Sequence, residues 1–143
     1  MSDKHVISTE WKGNLTFESD INGHKLIMDA SLEAGGNNKG PSPKKLMLAA
    51  LSGCTGMDVV SILKKMRVNF EKCNIEVQGD VTEEHPKQYY KMHVIYTFTG
   101  DNLPIDKLEK AVKMSEETYC GVGAVYRKTM EVTSEIRIIE SAV

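Results

Sequence analysis

The sequence predicts an α+β protein in which antiparallel sheets are wrapped around helices. Alternation of polar and apolar residues, typical of strands with one buried face, recurs in six stretches, and two longer stretches have helical apolar spacing. In chain order we expect three strands, a helix, two strands, a helix and a final strand, the order β3-α-β2-α-β. The chain has 143 residues, which is enough for one domain with a buried core, so a single domain spanning 1–143 is expected.

Composition argues against several classes of partner and location. Lys plus Arg number 18 and Asp plus Glu 20, and the resulting net charge of −2 argues against nucleic acid or an anionic membrane as the main partner. The sequence has no signal-like N-terminal apolar segment and no uninterrupted apolar run of membrane-spanning length. Three cysteines without a CxxC pair suit free or redox-active thiols in a reducing compartment. We therefore expect a soluble, cytoplasmic protein.

Three short strands are predicted in the first third of the chain, within HVISTEW, NLTFES and KLIMD. Asn22-Gly23 lies between the second and third strands and is typical of a tight hairpin turn. The following stretch, SLEAGGNNKGPSP, has the composition of a loop. It contains no GxGxxG or Walker spacing, so a phosphate-binding loop is not expected.

The longest helix is predicted from Pro43 to about Met66. Ser42 is a favoured N-cap and Pro43 suits the first helical position. Residues 46–51 are all apolar, so this half of the helix should be buried on nearly every side. Because one sheet covers only one side, we expect the same helix of a second subunit to cover the other, in a homodimer.

Two glycines on this helix flank a cysteine. Gly53 and Gly56 are three residues apart on one face, although each lowers helix stability by about 1 kcal/mol relative to Ala. We interpret them as marks of a close approach, either of a partner backbone or of a ligand above Cys54.

The second half of the chain alternates twice more before a second helix. Strands are predicted over 73–82 and 89–99, a helix from near Pro104, and a closing strand in EVTSEIRIIE. In the second of these strands the side chains expected to face inward are those of Tyr90, Met92, Val94, Tyr96 and Phe98.

The cysteines allow two interpretations. Cys54 and Cys120 each have a glycine neighbour and either form a redox pair, one attacking and one resolving, or are small core residues. Cys73 opens a strand and is interpreted as structural. The histidines His5, His24, His85 and His93 have no metal-ligand spacing, so no metal site is expected, and His93 should be exposed.

The stretches PSPKKLMLAALSGCTGMD (41–58) and SEETYCGVGAVY (115–126) resemble the OsmC/Ohr family of thiol-dependent hydroperoxide reductases and their relatives. In that family a helix start of the form (N/S/T)PxxL precedes one Cys, and a second Cys follows much later. Ser42-Pro43 and Leu46 match the start, and Cys54 and Cys120 match the two cysteines. The order of elements also fits, and the run GCTGMDVVSIL is similar to the YhfA-like branch.

The resemblance implies a fold and a mechanism. Family members are intertwined dimers with central helices between sheets. The Cys54 thiolate would attack a small organic hydroperoxide and become a sulfenic acid, and Cys120 would form a disulfide with it. An external dithiol, often lipoyl-linked, would restore both thiols, without a bound cofactor. Such a protein would act in the response to oxidative stress.

The sequence departs from the catalytic members of that family at several positions. Lys44 stands where they have Glu, and no Arg lies in the N-terminal strands. Lys44 of a second subunit, Lys12 or Arg127 could supply the missing positive charge, or all three are solvated surface residues. The alternative function is therefore a non-enzymatic dimer that binds a small apolar or thiol-reactive ligand, or senses oxidants.

Overall fold

The computed structural model describes residues 3–141, which form two compact units, one ending at Met47 and the other beginning at Leu48. The first unit contains strands β1 (Ser8–Trp11), β2 (Phe17–Ile21) and β3 (His24–Met28). A 3-10 turn at Pro43–Lys45 leads directly into α1 (Leu46–Lys65). The second unit continues with β4 (Lys72–Val81), β5 (Tyr89–Gly100), α2 (Ile105–Met114), a π-helical turn (Ser115–Tyr119), α3 (Gly121–Arg127) and β6 (Glu131–Glu140). The predicted α+β class is confirmed.

The first unit is a three-stranded antiparallel sheet in the order β1-β2-β3. Its second hairpin turns at Asn22 and Gly23, whose φ angles of 51° and 85° are both in the left-handed region that this dipeptide favours. Trp11, at the end of β1, is 62% exposed, and its indole Nε1 donates a hydrogen bond to the Asn14 carbonyl at 2.8 Å. The predicted meander and its turn are therefore confirmed.

Asp29 organises the loop that follows β3. Its buried carboxylate accepts hydrogen bonds from the Thr16 hydroxyl at 2.8 Å and from the backbone N–H groups of Ala30, Lys39 and Asn37 at 2.7, 3.2 and 3.4 Å. Burial alone would raise the pKa of Asp29, but these four hydrogen bonds outweigh it and lower the pKa below the ordinary 3.8. A single charged side chain thus fixes a loop rich in glycine and asparagine.

The second unit is built on a mixed sheet in the order β4-β5-β6. Strands β4 and β5 are antiparallel, whereas β6 runs parallel to β5. The expectation of antiparallel sheets is therefore wrong for the β5–β6 pair. The helices between β5 and β6 return the chain to the end at which β5 began, and this connection sets the direction of β6.

An additional helix separates α2 from β6. The predicted order has one helix here, but a π-helical turn ends α2 and Cys120 then caps α3. The Cys120 sulfur accepts a hydrogen bond from the Gly123 N–H at 3.3 Å. The sequence of α3, GVGAVYR, contains two glycines that lower its helix propensity, so the apolar spacing alone does not predict this helix.

The core of the second unit lies between the sheet and the helices. It includes the inward side chains of Met92, Val94, Tyr96 and Phe98 on β5, Leu51, Val59 and Leu63 on α1, and Leu108, Ala111 and Val112 on α2. Tyr90 is 53% exposed instead of buried, and Tyr89 occupies the inward position. The register shifts between Asp80 and Val81, so the bulge reverses the alternation at this end of β5.

One face of α1 packs on this core and the opposite face is exposed. Met57 and Val60 on the exposed face are 77% and 39% accessible. By length and composition, the helical stretch Pro43–Lys65 is apolar enough to cross a membrane, with a mean hydropathy of 1.7. Core helices of soluble proteins meet the same criterion, so this composition does not decide between a membrane and a protein partner.

Candidate functional site

Two of the three cysteines meet beside a carboxylate. Cys54 and Asp58 are one turn apart on α1, and Cys120 is the residue that caps α3. The two sulfur atoms and a carboxylate oxygen of Asp58 all lie within 4.8 Å of one another. Cys73 is paired with Phe98 on the β4–β5 ladder and does not belong to this cluster. All three cysteines are free thiols.

The two clustered thiols differ in their surroundings. Cys120 is 4% exposed, whereas Cys54 is half-buried. The pKa of Cys120 is raised to about 11, mainly by burial and in smaller part by the neighbouring Cys54 and Asp58, while the hydrogen bond from the Gly123 N–H lowers it. Cys120 therefore keeps its proton at neutral pH.

A chain of buried hydroxyl groups leads to Asp58. The Thr55 hydroxyl hydrogen-bonds the Tyr96 hydroxyl at 2.8 Å and the Ser115 hydroxyl at 2.8 Å, and Ser115 donates to Asp58 Oδ2 at 3.0 Å. Because the Ser115 hydrogen is used on Asp58, Thr55 donates to Ser115. The Tyr96 hydroxyl lies beside two acceptors, Thr55 Oγ1 at 2.8 Å and Glu116 Oε1 at 3.4 Å. Burial raises the pKa of Tyr96 far above its ordinary value, so the phenol remains a donor. The donors of Thr55 and Ser115 therefore both point towards the Asp58 carboxylate.

Arg127 folds back over the start of α3. Its Nη1 donates to the Glu116 carbonyl at 3.1 Å, and its Nη2 is 4.0 Å from Glu116 Oε2. A Cβ atom on Gly123 would lie only 2.7 Å from Arg127 Nη1 and 3.4 Å from the Cys120 sulfur. Gly123 thus leaves room for the guanidinium beside Cys120. Among the candidate cations from the sequence, Arg127 is the one that the second unit brings to this cluster.

The two candidate lysines belong to the first unit. Lys12 forms an ion pair with Glu10 at 3.4 Å. Lys44 is exposed in the 3-10 turn that precedes α1. Neither lysine has a contact that tests its predicted role at the site.

The two glycines of α1 differ in their neighbours. A Cβ on Gly53 would meet nothing within 4 Å, whereas one on Gly56 would lie 2.8 Å from Ile75 Cδ1 of β4. Gly56 therefore accommodates the sheet of its own unit. Gly53 faces open space beside the exposed side of α1.

His93 differs from the sequence-based expectation. Instead of being exposed it is partly buried, with Nδ1 2.7 Å from Thr133 Oγ1 and Nε2 2.7 Å from Glu135 Oε1. The parallel pairing of β5 with β6 places these two partners beside it. Among residues 3–141, no histidine belongs to a grouping of three or more potential metal ligands.

Sequence reasoning missed most of the hydroxyl chain. The available signals were Thr55 in a largely apolar helix and Ser115 on the apolar face of the second predicted helix.

A cavity of about 450 Å³ adjoins Asp58. Its lining comprises Asp58, Ser61, Ile62, Lys65, Met66, Lys110, Met114 and Tyr119.

Comparison with known proteins places this architecture in a family context. A family model described as OsmC-like protein matches residues 36–135. Protein YhfA of Escherichia coli strain K12 is 30% identical over 131 residues, which cover 91% of this chain and 95% of that protein. A hypothetical protein from Aquifex aeolicus VF5 is 28% identical with a TM-score of 0.86, covering 99% of this chain and 100% of that chain. An organic hydroperoxide resistance protein from Elizabethkingia anophelis matches at 15% identity and a TM-score of 0.72, over 97% of this chain and 100% of that chain, and shows the fold alone.

Proposed function

The chain belongs to the OsmC-like protein family, and from that premise we propose that it is a cytoplasmic, thiol-dependent protein that reduces small organic hydroperoxides. The observation that carries this proposal is the approach of the Cys54 and Cys120 sulfurs to within 4.8 Å. Two thiols that close can form a disulfide after a small movement. Three cysteines without a CxxC pair suit free or redox-active thiols in a reducing compartment.

The proposal assigns attack to Cys54 and resolution to Cys120. Cys54 is half-buried and therefore accessible to a small oxidant, whereas Cys120 is almost fully buried. The raised pKa of Cys120, about 11, keeps it protonated, so it is the poorer nucleophile in the resting protein. As a thiol beside Cys54 it can donate a hydrogen bond to the attacking thiolate.

The reaction proceeds in three balanced steps. The Cys54 thiolate attacks the outer oxygen of ROOH, the O–O bond breaks, and a proton completes the alcohol ROH, leaving Cys54 as a sulfenic acid. The Cys120 thiol then displaces the sulfenic oxygen, which leaves as water, and a disulfide forms. An external dithiol, lipoyl-linked in many relatives of this type, reduces the disulfide by exchange and becomes a disulfide itself.

The surroundings of Asp58 support an organic rather than an inorganic peroxide. The adjoining cavity has an apolar part formed by Ile62, Met66, Met114 and Tyr119, beside a polar part formed by Asp58, Ser61, Lys65 and Lys110. Apolar walls bind an alkyl or aryl group by removing it from water. Hydrogen peroxide has no such group and gains nothing from the apolar part of this cavity.

The proposal includes a homodimer with the exposed face of α1 at its centre. Met57 and Val60 are exposed there, and a groove of about 700 Å³ runs beside them and Gly53. A second copy would supply the apolar cover that this face lacks. Gly53→Leu should therefore shift sedimentation at low concentration towards monomer, and Lys107→Leu, on the exposed side of α2, should not. A monodisperse folded monomer of the unmodified protein would contradict the dimer.

One observation favours the non-enzymatic alternative. Asp58 places a negative charge within 4.8 Å of both sulfurs, and the first Arg in the sequence is Arg67, after the whole N-terminal sheet. No Arg of the N-terminal strands is available to polarise a peroxide oxygen, and the cations near the site are Arg127 and the cavity-lining Lys65 and Lys110. Under this alternative the same thiols bind a thiol-reactive ligand or register an oxidant without turnover.

Rapid mixing of the reduced protein with cumene hydroperoxide separates the two functions. We expect one alcohol per chain, a Cys54–Cys120 disulfide by mass mapping, and repeated turnover once a dihydrolipoyl donor is added. Cys54→Ser should abolish the reaction, Cys120→Ser should stop it at the sulfenic acid, and Cys73→Ser should react normally. Oxidation without turnover would favour the sensor, and a bridge through Cys73 would refute the two-cysteine mechanism.

A further inference from the structure

The cluster of Cys54, Asp58 and Cys120 also has the composition of a metal site. Two sulfurs and a carboxylate oxygen within 4.8 Å of one another form a donor set that suits a borderline-soft divalent cation. In a tetrahedral zinc site the bonds to sulfur and oxygen are about 2.0–2.3 Å long, which puts the ligand atoms about 3–4 Å apart. The described separations of up to 4.8 Å are about 1 Å wider than that geometry requires.

The three donor side chains come from two helices. Cys54 and Asp58 are four residues apart on α1, so they project from the same face of one helix. Cys120 approaches from the N-terminus of α3. A pair from one helix and a third ligand from another element leaves one tetrahedral position open, as in zinc sites that bind water or a small ligand.

Outer contacts hold two of these donors in place. Ser115 donates to Asp58 Oδ2 at 3.0 Å, and the Gly123 N–H donates to the Cys120 sulfur at 3.3 Å. Hydrogen bonds of this kind orient metal ligands and raise affinity. Two thiolates and a carboxylate around a divalent cation leave one excess negative charge, and the guanidinium of Arg127, which also pairs with Glu116, lies beside Gly123 near Cys120.

We infer that the reduced protein binds one thiophilic divalent cation, of the Zn²⁺ class, through Cys54 Sγ, Cys120 Sγ and the Asp58 carboxylate. This differs from the sequence-based expectation of no metal site, which considered only sets containing histidine. Binding replaces the thiol protons with the cation, so neither sulfur is free to attack an oxidant while the metal is bound. The cation is therefore an inhibitory ligand of the thiol pair, and it does not depend on the proposed peroxide chemistry.

Titration of the reduced, full-length protein with Co²⁺ under anaerobic conditions tests this inference. We expect one equivalent per chain, sulfur-to-cobalt charge-transfer absorption, the visible bands of tetrahedral Co²⁺, and displacement of Co²⁺ by Zn²⁺. Cys54→Ser or Cys120→Ser should remove most of the charge-transfer band. The Cys73→Ser protein, which keeps the cluster intact, should match the unmodified protein.

Two further variants test the carboxylate ligand. Asp58→Asn should weaken Zn²⁺ binding, measured against a chromogenic chelator, by more than about tenfold, and Ser115→Ala, which removes only an orienting contact, by about tenfold. The Ser115 variant keeps the test decisive if the Asp58 variant folds poorly, which circular dichroism would reveal. Absence of a sulfur–cobalt band, or unchanged binding in both variants, would overturn the three-ligand site. No hydroperoxide is present, so these outcomes are independent of the proposed peroxidase activity.

Discussion

Asp29 and Asp58 are two aspartates that accept hydrogen bonds inside their own units, but their bonding capacity is used very differently. Four donors surround Asp29, three of them backbone N–H groups of one loop. Asp58 accepts from the single hydroxyl of Ser115 and otherwise faces two sulfurs and a cavity. A carboxylate whose lone pairs are occupied by backbone fixes a fold, whereas one with spare capacity beside nucleophiles is available for chemistry.

The largest effect should come from Asp29→Asn. The asparagine side chain keeps the shape of aspartate but has one acceptor oxygen instead of two. Its NH₂ group can only donate, so the backbone N–H groups that face it lose their hydrogen-bond acceptor. We expect the thermal midpoint to fall by several degrees and the loop at 29–40 to become sensitive to protease. Asp20→Asn is the matched control, since Asp20 is exposed in a hairpin and pairs with Lys25 at 3.1 Å. If both substitutions lowered the thermal midpoint equally, the hydrogen bonds of Asp29 would not be special to the stability of the fold.

The charge of Asp29 should also make stability depend on pH. Its folded-state pKa is below the ordinary value of 3.8, so the charged form stabilises the folded state above that pH. This contribution is lost as pH falls through the folded-state pKa. Urea midpoints of the unmodified and Asp29→Asn proteins should therefore differ most near neutral pH and converge as the pH falls through the folded-state pKa of Asp29. If the difference between the two urea midpoints widened on acidification, the pKa of Asp29 would be raised in the folded state and not lowered.

Asp58→Asn should alter reactivity more than stability. The amide oxygen can still accept from Ser115, while the loss of negative charge removes one cause of the raised pKa of Cys120. That pKa should fall below about 11, because a neighbouring negative charge disfavours the thiolate. The pH dependence of alkylation at each cysteine, followed by mass spectrometry, measures this change, with Cys73 as the internal reference. An unchanged Cys120 profile would mean that the Asp58 charge is not felt at that sulfur.

The smallest effect is expected for Tyr96→Phe. The substitution removes the Tyr96 hydroxyl and its contacts with Thr55 and Glu116 but leaves Thr55 bonded to Ser115. We expect a loss of about 1 kcal/mol in the free energy of unfolding. Denaturant unfolding gives this value, and Tyr90→Phe, at an exposed position, serves as the control. A loss as large as that of Asp29→Asn would place the Asp58 network among the main determinants of the fold.

Local chemistry made much of the fold predictable. Asn22-Gly23 suits only a few turn types, Ser42-Pro43 marks a helix start, and alternation reveals strands, because each depends on neighbouring residues. Features set by distant contacts were not predictable in this way. The direction of β6, the bulge that exposes Tyr90 and the partners of His93 all depend on which strand lies beside which.

The residues of the candidate site were likewise predictable only where neighbouring residues or the family resemblance determine them. The resemblance to a known family singled out Cys54 and Cys120, and the sequence shows Asp58 one turn after Cys54. The hydrogen bond from Ser115 to Asp58 joins residues 57 positions apart, and no sequence period encodes it. Helix α3 was missed because its start depends on a cysteine side chain acting as the cap.

Trp11 gives the first unit an optical signal of its own. It is the single tryptophan of the chain, and it lies at the end of β1 with its indole bonded to the turn that follows. Its fluorescence therefore reports the state of the N-terminal sheet, while far-ultraviolet dichroism is dominated by the helices of the second unit. Comparing the two signals during denaturation shows whether the units melt together or one after the other, without any added label.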